Sequence, residues 1–202
     1  MASHTDTKTP PPSRPRRVPK RMTLREFEAF DTNPDEKWEL IEGVPCMTPT
    51  ANAPHNKLAQ VLANTIESIL ATTTGWYVVL DTSARFGDIK TEVRPDVAAF
   101  RQNEIKDPRV VPIRATPRLV IECLSPGNAD YDLGDKFRVY RKAGIPEYWV
   151  VDPKTGAITL FVLRKGEYEQ LVVDPKGFIE SPLLKKKLRI VVKPWSFEIL
   201  EA

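Results

Sequence analysis

Three pieces of one stretch decide the reading: Arg-Pro-Asp-Val-Ala-Ala-Phe at 94–100, Pro-Arg-Leu-Val-Ile-Glu-Cys-Leu-Ser-Pro at 117–126, and Asp-Leu-Gly-Asp-Lys-Phe-Arg-Val-Tyr-Arg-Lys-Ala-Gly at 132–144. The first two predict core strands, each with one inward carboxylate. The third predicts a helix with one inward lysine. In the second piece Leu119, Val120, Ile121, Cys123 and Leu124 surround Glu122. An apolar run of this length reads as a strand buried on both faces. Side chains alternate along a strand, so Glu122 shares a face with Val120 and Leu124. A carboxylate there without a partner would be strongly unfavourable or would take up a proton. A metal ion, a lysine or a hydrogen-bond network must compensate it. For an isolated glutamate, a plain buried salt bridge explains the pattern equally well.

Asp96 adds a second carboxylate. Pro95 forces Arg94 towards extended geometry, and Val97 to Phe100 then read as a short apolar strand with Asp96 at its entrance. Pro-Asp alone is a common turn pair, but two acids on two core strands are a rarer arrangement. On the helix, at ~100° per residue, Leu133, Phe137, Val139, Tyr140 and Ala143 fill one arc. Asp135, Arg138, Arg141 and Lys142 fill the opposite arc, and Lys136 falls inside the apolar one. It either snorkels along the boundary or points at the two carboxylates.

A chain of 202 residues is about one domain with extensions, long enough to bury an ordinary core. Residues 1–20 are rich in Pro, Ser, Thr and basic side chains and predict a disordered tail, leaving 21–202 as the single folded domain. Residues 1–22 carry Lys8, Arg14, Arg16, Arg17, Lys20 and Arg21 against Asp6 alone. The whole chain carries only +3, so the remainder is slightly acidic. A basic tail favours polyanions weakly, or simply solubilises the chain. No apolar run approaches the ~20 residues needed to cross a bilayer, and the start has no apolar leader segment. Cys46 and Cys123 form no Cys-x-x-Cys pair and predict reduced thiols in a cytoplasmic protein.

Elsewhere, Thr23 to Glu26 is a capping box opening a short helix. Lys37–Ile41 and Val44–Met47 read as a hairpin around Glu42-Gly43. Glu39 lies on the opposite face from Trp38 and Leu40, which by pattern alone reads as solvated. Pro54 to Ala71 is a long helix with Leu58, Leu62 and Ile66 in its buried stripe. His55 falls at the N-terminal end of that stripe, as a hydrogen-bonded edge residue or as a phosphate contact. Trp76–Leu80 and Thr82–Phe86 read as strands paired with each other, and Ser125 to Asn128 as a turn. Lys185-Lys-Lys187 with Arg189 reads as a charged edge strand or a run that tracks a phosphate backbone. The element order predicts an α/β sandwich with a mixed central sheet. Among the functions excluded, no Gly-rich phosphate loop or Gly-x-Ser-x-Gly elbow occurs, so a nucleotide cofactor and serine hydrolysis are not expected. His4 and His55 alone make a zinc hydrolase a poor fit.

The motifs carry a family resemblance. Trp-Glu-Leu-Ile-Glu-Gly at 38–43, Pro-His at 54–55, Arg-Pro-Asp at 94–96, Val-Ile-Glu-Cys-Leu-Ser-Pro at 120–126 and the long string from Asp132 to Pro153 occur in this order. The chain resembles the PD-(D/E)XK nuclease superfamily and, within it, the restriction-endonuclease family called Uma-two. The usual lysine two residues after the glutamate is absent, since position 124 is Leu, and the resemblance moves that role to Lys136. It implies a restriction-endonuclease-like three-layer core, a mixed central sheet flanked by helices. It also implies a metal-dependent endonuclease that hydrolyses DNA phosphodiester bonds. Asp96, Glu122 and the Cys123 carbonyl would hold Mg²⁺ or Mn²⁺, an oxygen-only set suited to either ion. Lys136 would be catalytic, Glu39 a further acidic group of the site, and His55 a neighbour of it. DNA is the implied partner, and a homodimer is implied for cutting both strands. Two other readings stay open: an inactive nucleic-acid-binding or interaction module on a nuclease scaffold, and a structural salt-bridge cluster.

Overall fold

The structure, a computed structural model, describes residues 16–18, 20–30, 36–48, 51–125 and 130–202. The chain begins with a two-residue strand β1 (Arg16–Arg17) and a helix α1 (Leu24–Glu28). Thr23 and Glu26 form the expected reciprocal cap of α1. Strands β2 (Lys37–Ile41) and β3 (Val44–Thr48) form the expected hairpin. Glu42 and Gly43 have φ of 49° and 84°, the left-handed pair whose twist matches that of the strands it joins. Helix α2 (Ala53–Leu70) follows, capped by the Asn52 side chain, which accepts from the His55 N–H at 3.0 Å. Next come β4 (Trp76–Leu80), β5 (Ala84–Phe86), β6 (Thr91–Val93), β7 (Val97–Arg101) and β8 (Leu119–Cys123). A π-helical turn (Tyr131–Lys136) runs directly into α3 (Phe137–Lys142). The chain closes with β9 (Glu147–Val151), β10 (Ile158–Arg164), β11 (Glu167–Gln170), β12 (Ile179–Ser181), β13 (Lys186–Lys193) and β14 (Ser196–Glu201).

The central sheet runs β11-β10-β9-β8-β7-β4. All its pairs are antiparallel except β8 with β9. A parallel pair cannot be closed by a tight turn and needs a crossover, which the π-helical turn and α3 supply. Strands β8 and β9 are buried along their whole length, as their unbroken apolar runs require. Alternation splits their side chains between two layers. Val97, Ala99, Leu119, Ile121 and Trp149 pack with α2 and with Ile179, Leu188 and Ile190 of the small sheet β12-β13-β14. Ala98, Phe100, Val120, Tyr148 and Val150 pack with α3 and with the second sheet, β1-β3-β2-β6-β5. The mixed central sheet flanked by helices is therefore present, with a small sheet sharing each flank.

Several expectations need correction. Strands β4 and β5 do not pair with each other: β4 pairs with β7 in the central sheet and β5 with β6 in the second sheet. Asp81 has a left-handed φ of 46°, and the chain changes sheet there. The tail expected over residues 1–20 is interrupted by β1, where Arg16 and Arg17 pair with Met47 and Cys46. Residues 1–15 and 19 lie outside the described residues, as do positions 126–128 of the expected turn. The lysine-rich run is the middle strand β13 rather than an edge, with Lys186 and Lys187 paired to Glu201 and Glu180. Leu133, placed on the apolar arc by a 100° spacing, is exposed. The π-helical turn holds more residues per turn than an α-helix and rotates Leu133 outward. Both cysteines are buried free thiols. Among the described residues, no helix is long and apolar enough to cross a membrane.

Candidate active site

The C-terminal end of β8 and the N-terminal end of β7 lie side by side. Val97 opposes Ile121, so the next position of the antiparallel register puts Asp96 opposite Glu122. The ladder stops there: the Cys123 N–H donates instead to Asp96 Oδ2, at 2.8 Å. The same oxygen lies 2.9 Å from His55 Nε2 at the start of α2. Glu122 points the other way along the layer, to α3. Its Oε1 accepts from Lys136 Nζ at 2.8 Å and from the Tyr140 hydroxyl at 2.5 Å. Lys136 Nζ also lies 3.4 Å from Glu39 Oε1 and 3.8 Å from Asp132 Oδ1. Glu39, on β2, accepts from the Arg94 N–H at 2.7 Å and from the Tyr131 hydroxyl at 2.8 Å. Lys37, at the start of the same strand, lies 3.8 Å from Asp96 and 3.0 Å from Asp81.

Asp96, Glu122 and Lys136 therefore converge, and Glu39 and His55 join them. Glu39 is fully buried, which corrects the solvated reading from pattern alone: Tyr131 and Lys136 of the π-helical turn cover the face that alternation assigned to solvent. A recess of about 30 Å³ is lined by Asp96, Glu122, Cys123, Asp132, Lys136 and Lys37, with Thr48 and Ala51 at its wall. The Cys123 thiol belongs to the core on the α2 side, so Cys123 meets the recess through its main chain. Outside His55 and Asp96 a wider cleft of about 390 Å³ opens, walled by Lys37, Asn56, Gln60, Asp81 and Arg94.

Four buried carboxylates, Glu39, Asp96, Glu122 and Asp132, face one buried ammonium, Lys136, with Lys37 at the rim. Burial pushes Glu122 up to about 7, with the Asp96 and Glu39 charges adding and Lys136 opposing. Burial likewise pushes Asp132 well above the carboxylate range, against the pull of Lys136. Burial would also raise Asp96, but the His55 hydrogen bond and the Lys37 charge outweigh it and hold Asp96 low. Burial would lower Lys136, yet Glu122, Glu39 and Asp132 raise it well above the ordinary lysine value. His55 is raised too, because its bond to Asp96 exceeds the cost of burial. The cluster is short of positive charge.

The family described as "Uma2: Putative restriction endonuclease" matches residues 24–193. The chain belongs to that family. Among solved structures it is similar to one titled as a putative nuclease belonging to DUF820, from Anabaena variabilis ATCC 29413. That similarity has a TM-score of 0.63 at 23% identity and covers 81% of this chain and 91% of the other. At that identity it shows the fold, restriction-endonuclease-like, and no more. The search of curated proteins finds no match. The family's span takes in every strand of the central sheet and all five residues of the cluster singled out in the sequence.

The donor set tests what this Uma2 member could hold. Asp96 Oδ1 and Glu122 Oε2 accept no hydrogen bond from the described residues, although both side chains are buried. Buried oxygens of this kind ordinarily have a partner. Among the described residues, no three His, Cys, Asp or Glu side chains form a metal-binding group. Two carboxylate oxygens and a main-chain carbonyl around a recess with room for one small ion fit Mg²⁺ or Mn²⁺. Mg²⁺ in particular takes one or two carboxylates and keeps several waters. Sequence reasoning missed Lys37, Tyr131, Asp132 and Tyr140. Asp132 carried a usable signal, its i,i+4 spacing from Lys136. Tyr131 and Tyr140 carried another, since a buried phenol needs a hydrogen-bond partner. Lys37 carried none.

Proposed function

We propose that the chain is a divalent-metal-dependent endonuclease that hydrolyses DNA phosphodiester bonds. The observation that carries this reading is the meeting of Asp96, Glu122 and Lys136 at one recess with unsatisfied carboxylate oxygens. The family description supports DNA as the substrate. Asp96, Glu122 and the Cys123 carbonyl would hold Mg²⁺ or Mn²⁺. When bound, such an ion neutralises phosphate charge and lowers the pKa of water from ~16 towards ~7.

The chain's own residues do the rest. The Cys123 N–H and His55 fix one oxygen of Asp96 and leave the other facing the recess. Tyr140 and Lys136 fix Glu122 in the same way. Lys136 has three N–H donors. One holds Glu122 and one faces Glu39, and the ammonium at the recess would orient a water for attack and stabilise charge on the transition-state phosphate. Glu39, held by Arg94 and Tyr131, positions the Lys136 ammonium. His55 sits at the N-terminus of α2, whose free amides favour an anion. A cytoplasmic location, suited to two free thiols, and pairing of two copies to cut both strands belong to this proposal.

The test is cleavage of supercoiled plasmid and branched DNA with Mg²⁺ or Mn²⁺. Asp96→Asn and Glu122→Gln, shown folded by circular dichroism, should each lose about 10²–10³-fold in rate. Either variant cutting at the parent rate overturns the assignment. A parent that neither cuts DNA nor takes up Mn²⁺ leaves a structural salt-bridge cluster in its place.

A further inference from the structure

The tip of the β13–β14 hairpin carries an indole with no cover. Lys193 pairs with Ser196 across the hairpin, so Pro194 and Trp195 form its two-residue loop. Trp195 is 94% exposed, more than any other large hydrophobic residue described. The family match ends at residue 193, just before this loop.

The loop is one wall of a groove of about 840 Å³, within the size range of small-molecule and nucleotide sites. Pro54 and Lys57 of α2, Leu124, Lys154, Val192 and Trp195 are among its walls. Two of these residues adjoin candidate-site residues in the chain. Pro54 immediately precedes His55, and Leu124 immediately follows Cys123, held to β9 by its N–H donating to the Val151 carbonyl at 2.8 Å.

Its charge is that of an anion-binding surface. The Lys57 and Lys154 ammonium groups, both on exposed residues, have no ion pair among the described residues. The acid in the wall, Asp152, is turned back onto its own loop, where it accepts from the Lys154 N–H at 2.8 Å and the Thr155 hydroxyl at 3.0 Å. Lys193 is paired with Glu198. An exposed aromatic face beside unpaired lysines and apolar walls is the pattern that holds unpaired bases by stacking and their phosphates by charge. A duplex interior offers no free base face to an indole, whereas a single strand, a frayed end or a flipped base does.

We propose that the β13–β14 tip is a nucleobase-stacking arm for single-stranded nucleic acid entering the recess, with Trp195 as the platform and Lys57 and Lys154 as phosphate contacts. This rests on the reading of the recess as a nucleic-acid site. It adds an unpaired stretch beside the cut as a feature of the substrate.

The test is fluorescence anisotropy of the full chain with labelled single-stranded, single-strand-tailed and blunt duplex DNA in EDTA, where cleavage plays no part. Single-stranded and tailed DNA should bind more tightly than blunt duplex. Trp195→Ala should weaken single-strand binding about 5- to 100-fold, while Trp195→Phe keeps most of it. Lys154→Ala should reduce the salt dependence of binding. Trp195→Ala binding single strands like the parent overturns the arm, whether or not the parent cuts DNA. So does a dimer, seen by sedimentation velocity, that Trp195→Ala splits with DNA binding unchanged; the tip would then be a self-association face. Binding that depends on Trp195 in a chain that cuts no DNA supports the arm and removes only the nuclease reading. A chain that binds no DNA of any form overturns both.

Discussion

Removing the Lys136 ammonium would leave Glu122, Glu39 and Asp132 facing one another in a dry interior. Its three carboxylate neighbours come from β8, β2 and the π-helical turn, so one cation joins three elements. Breaking a buried ion pair from one side costs about 3–5 kcal/mol. Lys136→Met should therefore lower urea-unfolding stability by that order. Lys136→Met combined with Glu122→Gln should recover part of the loss, because one of the unpaired charges is then gone. A single variant as stable as the parent, or a double variant no better than the single, would show that the cluster is not held by this charge.

The π-helical turn and β9 show how elements place single groups. With i→i+5 closure, Tyr131, Asp132 and Lys136 all reach the buried side, on a narrower arc than a 3.6-residue period would give them. On β9, Glu147 is a buried carboxylate with no cation paired to it among the described residues. It accepts from Trp149 Nε1 at 2.8 Å, from the Ser181 hydroxyl at 2.5 Å and from the Leu183 N–H at 3.1 Å. Those bonds tie the central sheet to the segment after β12. Burial raises the Glu147 pKa, and the three bonds oppose it only in part. A raised folded pKa means that the native state binds more protons than the unfolded chain. Stability from this group therefore falls as pH rises from the unfolded value near ~4.3 through the raised folded value. Glu147→Gln cannot titrate, so the parent's stability relative to this variant should shrink as pH rises through that window. Parallel urea melts at several pH values would show it. A difference that grows with pH would mean the wrong sign for the shift.

At the scale of the molecule, the second sheet is the lid of the interior. Its hairpin tip is clamped to α3, with Glu42 paired to both Arg138 and Lys142. Its edge is finished by β1, with Val18 N–H donating to the Pro45 carbonyl at 3.0 Å and Arg17 paired to Asp135. A chain lacking residues 1–15 keeps every described residue and serves as the reference. Deleting 1–18 should cost about 1–2 kcal/mol, the net worth of one or two hydrogen bonds, because the β3 edge and Asp135 both lose partners. Equal urea midpoints for the two truncations would show that β1 contributes nothing to the fold.

Local properties were readable from the sequence. Apolar density marked β7 and β8 as core strands, alternation put Glu122 on one face with Val120 and Leu124, and helical spacing turned Lys136 inward. Each of these follows from a residue and its near neighbours in the chain. Which strands pair was settled elsewhere, as β4 and β5 show by entering different sheets. So were the burial of Glu39 and the nearness of Lys37 and Asp132 to the recess. Those outcomes depend on what covers a face, and the covering residues lie tens of positions away, where periodicity carries no information. Tertiary packing alone decided that Glu39 and Glu122, from two different sheets, would share one lysine.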